Sequence, residues 1–237
     1  LSSVPGASVK KLGAETSDFY QIRAAITEEG VSQITECLNT KYGAENVSVQ
    51  KTDYIGAGMS ASLAKNSMLL LLATMVLIWL YATIRFHWDF ALGSIIALVH
   101  DIFIMLAFIT WTQLEFSTTT LAAVLTIVGY SINATVVILD RVRYNLPLME
   151  VKKFSEILDQ SLTDTLARSI ITTLTTIFAV FALYFFTTGS IKDFALAMMV
   201  GLVSGCYSSI FISSGFINLT RRSWKPEFGF HHALPKK

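Results

Sequence analysis

Arg168 stands at the head of a long apolar run. Ser161, Thr165, Thr172 and Thr175 flank it at steps of four, three, four and three. That spacing puts the five residues on one helix face. A charge in hydrocarbon costs at least ~2.5–3.5 kcal/mol on insertion scales, so it is kept for a reason. It either turns inward, toward a partner or a water-filled gap, or snorkels to the headgroups as an anchor. The polar stripe running past Arg168 favours the inward role. Asp101, preceded by His100, falls near the middle of a second apolar run. A carboxylate at that depth is a proton-binding group or a neutral acid that bonds neighbouring helices together. Thr126, Gly129 and Asn133 share one face of a third run, where glycine permits close approach and the amide can bond across it. Asp140 and Arg141 read as an interfacial charge pair. Gly201 and Gly205, with Ser204 and Ser208, form two small-xxx-small pairs, the mark of a packing helix. No Walker A loop, HExxH or metal-spaced Cys/His cluster occurs. No cofactor or metal is expected, and nothing argues for an enzyme.

The elements that must hold these residues are membrane helices. The 237 residues are 53% hydrophobic and 15% charged, and soluble domains carry about 25% charged residues. Five spans are expected, at 66–84, 90–114, 116–139, 168–191 and 194–219, each close to the ~20 apolar residues of a crossing. Trp88, Trp111 and Trp224 lie near span ends, as interfacial aromatics do. One side of the alternating loops collects Arg85, Arg141, Arg143, Lys152, Lys153, Arg221, Arg222 and Lys225; the other side's short loops hold only Lys192. The positive-inside rule makes the first side cytoplasmic. The net charge of +1 excludes nucleic acid as the main partner. Cys37 and Cys206 fall in different kinds of segment, so no disulfide is expected.

Residues 1–58 read as a small α+β domain on the far side, with strands at Ser8–Leu12 and Phe19–Ala24. A helix at Glu28–Tyr42, capped by Gly43, and a third strand at Val47–Ile55 follow. Such a sheet is barely large enough to fold alone. An exported domain with no signal of its own needs an upstream membrane segment, and the chain opens at Leu1. A piece of a longer chain is therefore expected. The tract Gly56-Ala57-Gly58-Met59-Ser60-Ala61 imitates a phosphate loop, but a hydrophobic helix follows it. It reads as a flexible hinge. Residues 144–167 form the one long cytoplasmic connection, with an amphipathic helix at Met149–Leu158 expected to lie along the bilayer surface. Residues 223–237 read as a disordered cytoplasmic tail.

The tract Val128-Gly129-Tyr130-Ser131-Ile132-Asn133, followed by Thr135–Ile138, Asp140-Arg141 and Arg143, resembles the fourth membrane helix of the SecF family. Ala97-Leu98-Val99-His100-Asp101 and Thr165-Leu166-Ala167-Arg168 also match its patterns. The likeness covers most of residues 45–225. It implies an α-helical polytopic bundle of the resistance–nodulation–division type with a small α+β periplasmic domain, in the bacterial inner membrane. It further implies SecD as partner in two similar six-helix halves, docking on the SecYEG channel, YajC as a companion, and preproteins as cargo drawn outward by proton flow. The family's arginine, matched by Arg168, is tied to proton movement. One departure stands out: the family has an aspartate after the asparagine, and here the residue is Ala134. A methyl group cannot bind a proton. The acid work then falls to SecD with Asp101 assisting, or the chain is a scaffold without a relay, or Ala134 is an introduced substitution. A half-transporter for small hydrophobic solutes is a further alternative, which would want a larger porter domain.

Overall fold

The computed structural model describes residues 8–12, 19–24, 28–50, 52, 57–148 and 153–222. The chain divides into two compact units, Leu1–Lys65 and Asn66–Lys237.

In the first unit, β1 (Ser8–Leu12) and β2 (Phe19–Arg23) pair antiparallel, with Lys10 opposite Gln21. Helix α1 covers Glu28–Tyr42. It ends where Gly43 takes φ +86° and its N–H bonds the Asn39 carbonyl at 2.9 Å, a conformation glycine adopts without steric cost. Val31, Ile34 and Leu38 form its half-buried face, and Cys37 is exposed. The expected third strand is not formed at Val47–Gln50, which is irregular; of the rest of that segment only Thr52 is described, and it too is irregular. A strand is held by its ladder to a neighbour. Here Gln50 bonds the Ser48 hydroxyl at 3.1 Å instead.

The second unit is a helix bundle. Helix α2 covers Ala57–Arg85, α3 Trp88–Thr112, α4 Thr118–Asn145, α5 Phe154–Phe186, α6 Ser190–Tyr207 and α7 Ser214–Thr220. A π-helical turn, Ser208–Ser213, joins α6 to α7, so Ser190–Thr220 is one continuous rod. Among the described residues five rods are long and apolar enough to cross a membrane. The glycine-rich tract before α2 is not a hinge, since Ala57 to Ala61 are already helical. Ala61, Leu63, Ala64 and Lys65 are strong helix formers and carry the helix back that far. The described part of the amphipathic segment, Phe154–Leu158, does not form a separate helix. Met149 to Lys152 lie outside the described residues, and Phe154–Leu158 is the first turn of α5. Its apolar side finds a better partner than lipid headgroups. Phe154, Ile157 and Leu158 pack with Phe86, Phe90, Ile138, Val142, Leu146 and Ile217 in one core cluster. The tail beyond Arg222 lies outside the described residues.

A second cluster, built from Met105, Ile109, Val124, Ile127, Met198 and Leu202, fills the opposite end. In this second cluster and just beyond it α6 approaches α4 closely. A Cβ on Gly201 would stand 2.5 Å from Ile127 Cγ1 and 2.8 Å from Met105 Sδ; one on Gly205 would stand 3.2 Å from Ser131 Cβ. The small residues are what permit this contact.

Candidate functional site: a buried carboxylate between two apolar clusters

Helix α3 carries Asp101 halfway along its length, and the carboxylate is 0% exposed. Three hydroxyls donate to it. Ser131 of α4 reaches Oδ2 at 2.6 Å, Ser204 of α6 reaches Oδ1 at 2.7 Å, and Ser208 of the π-helical turn reaches Oδ2 at 2.6 Å. His100 Nδ1 lies 3.2 Å from Oδ1, and its side chain is 30% exposed. The imidazole stands against Tyr207 with ring centres 6.1 Å apart, and Tyr207 against Phe211 at 5.0 Å. The three donors gather α4, α6 and the π-helical turn around one acceptor on α3.

The serines are what the sequence reading missed. The small-xxx-small spacing marks Ser204 and Ser208 as packing residues, yet each also donates to the acid. Their i, i+4 spacing was visible; that the face they share meets Asp101 was not. The π-helical turn, a feature common at functional sites, sets Ser208 against Oδ2.

The Arg168 stripe divides. Ser161 and Thr165 are buried, whereas Arg168, Thr172 and Thr175 are exposed, and the inward face continues through Ser169 and Thr173 instead. The reason lies in the neighbours. The start of α5 packs on the end of α4, where Asn145 bonds the Ser161 hydroxyl at 2.9 Å, and α5 also packs on α6. Among the described residues no carboxylate pairs with Arg168. Thr126, Gly129 and Asn133 are exposed as well, and no atom lies within 4 Å of a Cβ built on Gly129. Among the described residues the tight contact expected at Gly129 is therefore not made, while those at Gly201 and Gly205 are. Tyr130 links the two exposed faces, its hydroxyl contacting Thr172 O at 3.4 Å and the Thr176 hydroxyl. Asn133 on α4 and Arg168 on α5 each lie one turn from that link, toward the same end of the bundle.

That end gathers the charges. Asp140 and Arg141 do not pair with each other, because successive helix positions point apart. Asp140 takes Arg85 of α2 at 2.8 Å, and Arg141 takes Asp164 of α5 at 2.7 Å. Gln160 and Asn145 also donate to Asp164. Arg221 grips Asp89 through both Nε and Nη2 and lies over the Phe90 ring, 4.5 Å from its centre. Trp88 and Trp111, at the two ends of α3, are 64% and 85% exposed. Among the described residues no cluster could hold a metal ion.

Among the described residues, five membrane-length rods, three of them meeting at a buried acid, define a polytopic helical membrane bundle. The family described as "Protein export membrane protein SecD/SecF, C-terminal" matches residues 34–223, and the chain belongs to that family. It is 41% identical to the protein translocase subunit SecF of Treponema pallidum, over 94% of this chain and 60% of that one. It is 38% identical to SecF of Sebaldella termitidis, over 95% and 73%. Among solved structures it resembles SecDF in a super-membrane-facing form, with a TM-score of 0.71 and 32% identity, covering 92% of this chain and 30% of that one. SecDF of Thermus thermophilus, described as a translocon-associated membrane protein, gives 0.75 and 33%, covering 86% and 28%. The chain thus spans about 60% of the length of the Treponema relative and under a third of the solved chains.

Proposed function

We propose that this chain is the SecF-type half of a protein-export accessory unit in the bacterial inner membrane. There it works beside SecD on the SecYEG channel, with YajC as a further companion, and uses proton movement to help draw preproteins outward. It does this without catalysing a reaction of its own. The N-terminal unit is periplasmic and the charged end of the bundle cytoplasmic, a reading supported by the bias of Lys and Arg toward that end.

One observation carries the coupling part of the reading: α4 and α5 present Asn133, Arg168, Thr172 and Thr175 outward on rods of membrane length. A guanidinium facing lipid is expensive, so this face wants a second bundle bearing carboxylates. SecD is the partner of that chemistry. Protonating a carboxylate opposite Arg168 removes their attraction and shifts the preferred packing of the two halves. A charge falling through ~150 mV releases ~3.5 kcal/mol, and ~1.4 kcal/mol already changes an equilibrium tenfold. Ala134 leaves this helix without an acid beside Asn133, so the acids acting here are SecD's and Asp101.

The test is preprotein translocation by vesicles holding the chain with SecD and SecYEG, with and without a proton gradient. Arg168→Gln is expected to abolish the gradient-dependent part and leave the rest. Ala134→Asp is expected to raise the gradient-dependent part. Translocation unaltered by collapsing the gradient would reduce the chain to a scaffold.

A further inference from the structure

The buried acid has its own route to the outside of the bundle. Asp101 is sealed from solvent, while its chain neighbour His100 has one ring nitrogen on the carboxylate and nearly a third of its side chain exposed. No lysine or arginine pairs with Asp101 among the described residues. The groups facing it are His100 from α3, Ser131 from α4, Ser204 from α6 and Ser208 from the π-helical turn, with Tyr207 against the imidazole. Among the described residues His100 is thus the one titratable group in contact with it.

We infer that His100 and Asp101 form a proton-exchange dyad whose loading loosens the junction of α3 with α6. In the empty state Asp101 is a carboxylate, and His100 donates Nδ1–H to Oδ1 with the Nε2 lone pair free. A proton binds Nε2 from the exposed side. The Nδ1–H bond breaks as an O–H bond forms on Oδ1, leaving a neutral imidazole protonated at Nε2 and a neutral acid. Release reverses both steps, so the pair goes from a net charge of −1 to neutral on loading and back again on release. A neutral acid is a weaker acceptor for the three hydroxyls. Ser208 has an alternative at hand, since its hydroxyl already lies 3.3 Å from the Gly205 carbonyl. The π-helical turn ends at Ser213, whose buried Oγ has no partner among the described residues, so this segment holds unused hydrogen-bonding capacity. Loading therefore moves Ser208 from α3 to its own helix and frees the turn.

This rests on the proton-driven reading above for its purpose, but its test needs no translocation. The protein in lipid vesicles, with no SecD present, is titrated while its infrared difference spectrum is recorded in H2O and D2O. A protonated-carboxyl band is expected, lost in Asp101→Asn. Its pH midpoint is expected to move by about one unit, tenfold in proton concentration, in His100→Gln and in Ser208→Ala. The latter moves upward, because a donor to the charged form is gone. Asp101→Glu, which keeps the carboxyl group, restores a displaced band and separates proton binding from misfolding. A band that persists in Asp101→Asn, or a midpoint indifferent to both His100→Gln and Ser208→Ala, would overturn the dyad. If the dyad stands while translocation ignores the gradient, the failure belongs to the functional reading alone.

Discussion

Arg221, one residue past the end of α7, closes on Asp89 in the first turn of α3, and both side chains are nearly buried, at 11% and 6% exposure. The last rod is thereby clasped to the second at the charged end. Removing one partner of such a pair leaves the other charge buried alone, at a cost of about 3–5 kcal/mol. Arg221→Ala is expected to lower the unfolding temperature markedly in detergent. The double variant Asp89→Asn, Arg221→Gln should recover much of the loss. Equal damage from the single and double variants would contradict the pairing.

The two kinds of glycine separate cleanly. Gly201→Ala puts a methyl group into Ile127 and Met105, and overpacking of that kind costs about 1–3 kcal/mol. Gly129→Ala meets nothing and gains helix propensity of up to about 1 kcal/mol. Thermal unfolding of both variants alone, followed by capture of SecD, distinguishes them: Gly129→Ala should be stable yet weaker in capture.

The exposed pairs should matter far less than the clasp. Arg85 and Asp140 are 43% and 57% exposed, and pairs of that kind contribute about 0–1 kcal/mol. Asp140→Asn is expected to leave the unfolding temperature nearly unchanged and to reduce its salt dependence. A large drop would reveal a role for Asp140 beyond the ion pair.

His87, in the short turn between α2 and α3, is held below its ordinary value near 6.5 by partial burial and then by the charge of Arg221, with Asp89 opposing. The unfolded chain therefore takes up the proton first as pH falls. Stability contributed here is complete above about 6.5 and declines as pH drops from there through the folded value, levelling off below it. His87 is largely exposed, so the decline is shallow. His87→Gln should flatten the stability–pH curve in that window, and a steeper curve would reverse the sign.

Much of the architecture was legible in the residues. Apolar runs long enough to cross a bilayer announced five rods, and the α1 boundaries followed from spacing and Gly43. Amphipathicity alone does not say whether the apolar side of a segment meets lipid or protein; for Phe154–Leu158, Phe86 and Val142 decide it. The charge partners were hidden for a similar reason. Asp140-Arg141 looks self-sufficient in a string, but helix geometry turns the two apart and other helices answer them. The site was half visible. Asp101 and Arg168 stood out as charges in apolar surroundings, whereas neutral serines in a small-residue stripe give no sign of the acid they serve.

Helix α5 runs unbroken for 33 residues, about 50 Å at 1.5 Å per residue, against a hydrocarbon thickness of about 30 Å. A rigid shaft that outreaches its sleeve works as a lever. The turn around Arg168 and the wedge of Phe154, Ile157 and Leu158 belong to one stiff body, so a tilt near the middle of the membrane is delivered as displacement at the far end without any relay of intermediate contacts. The Arg141–Asp164 pair joins that shaft to the end of α4.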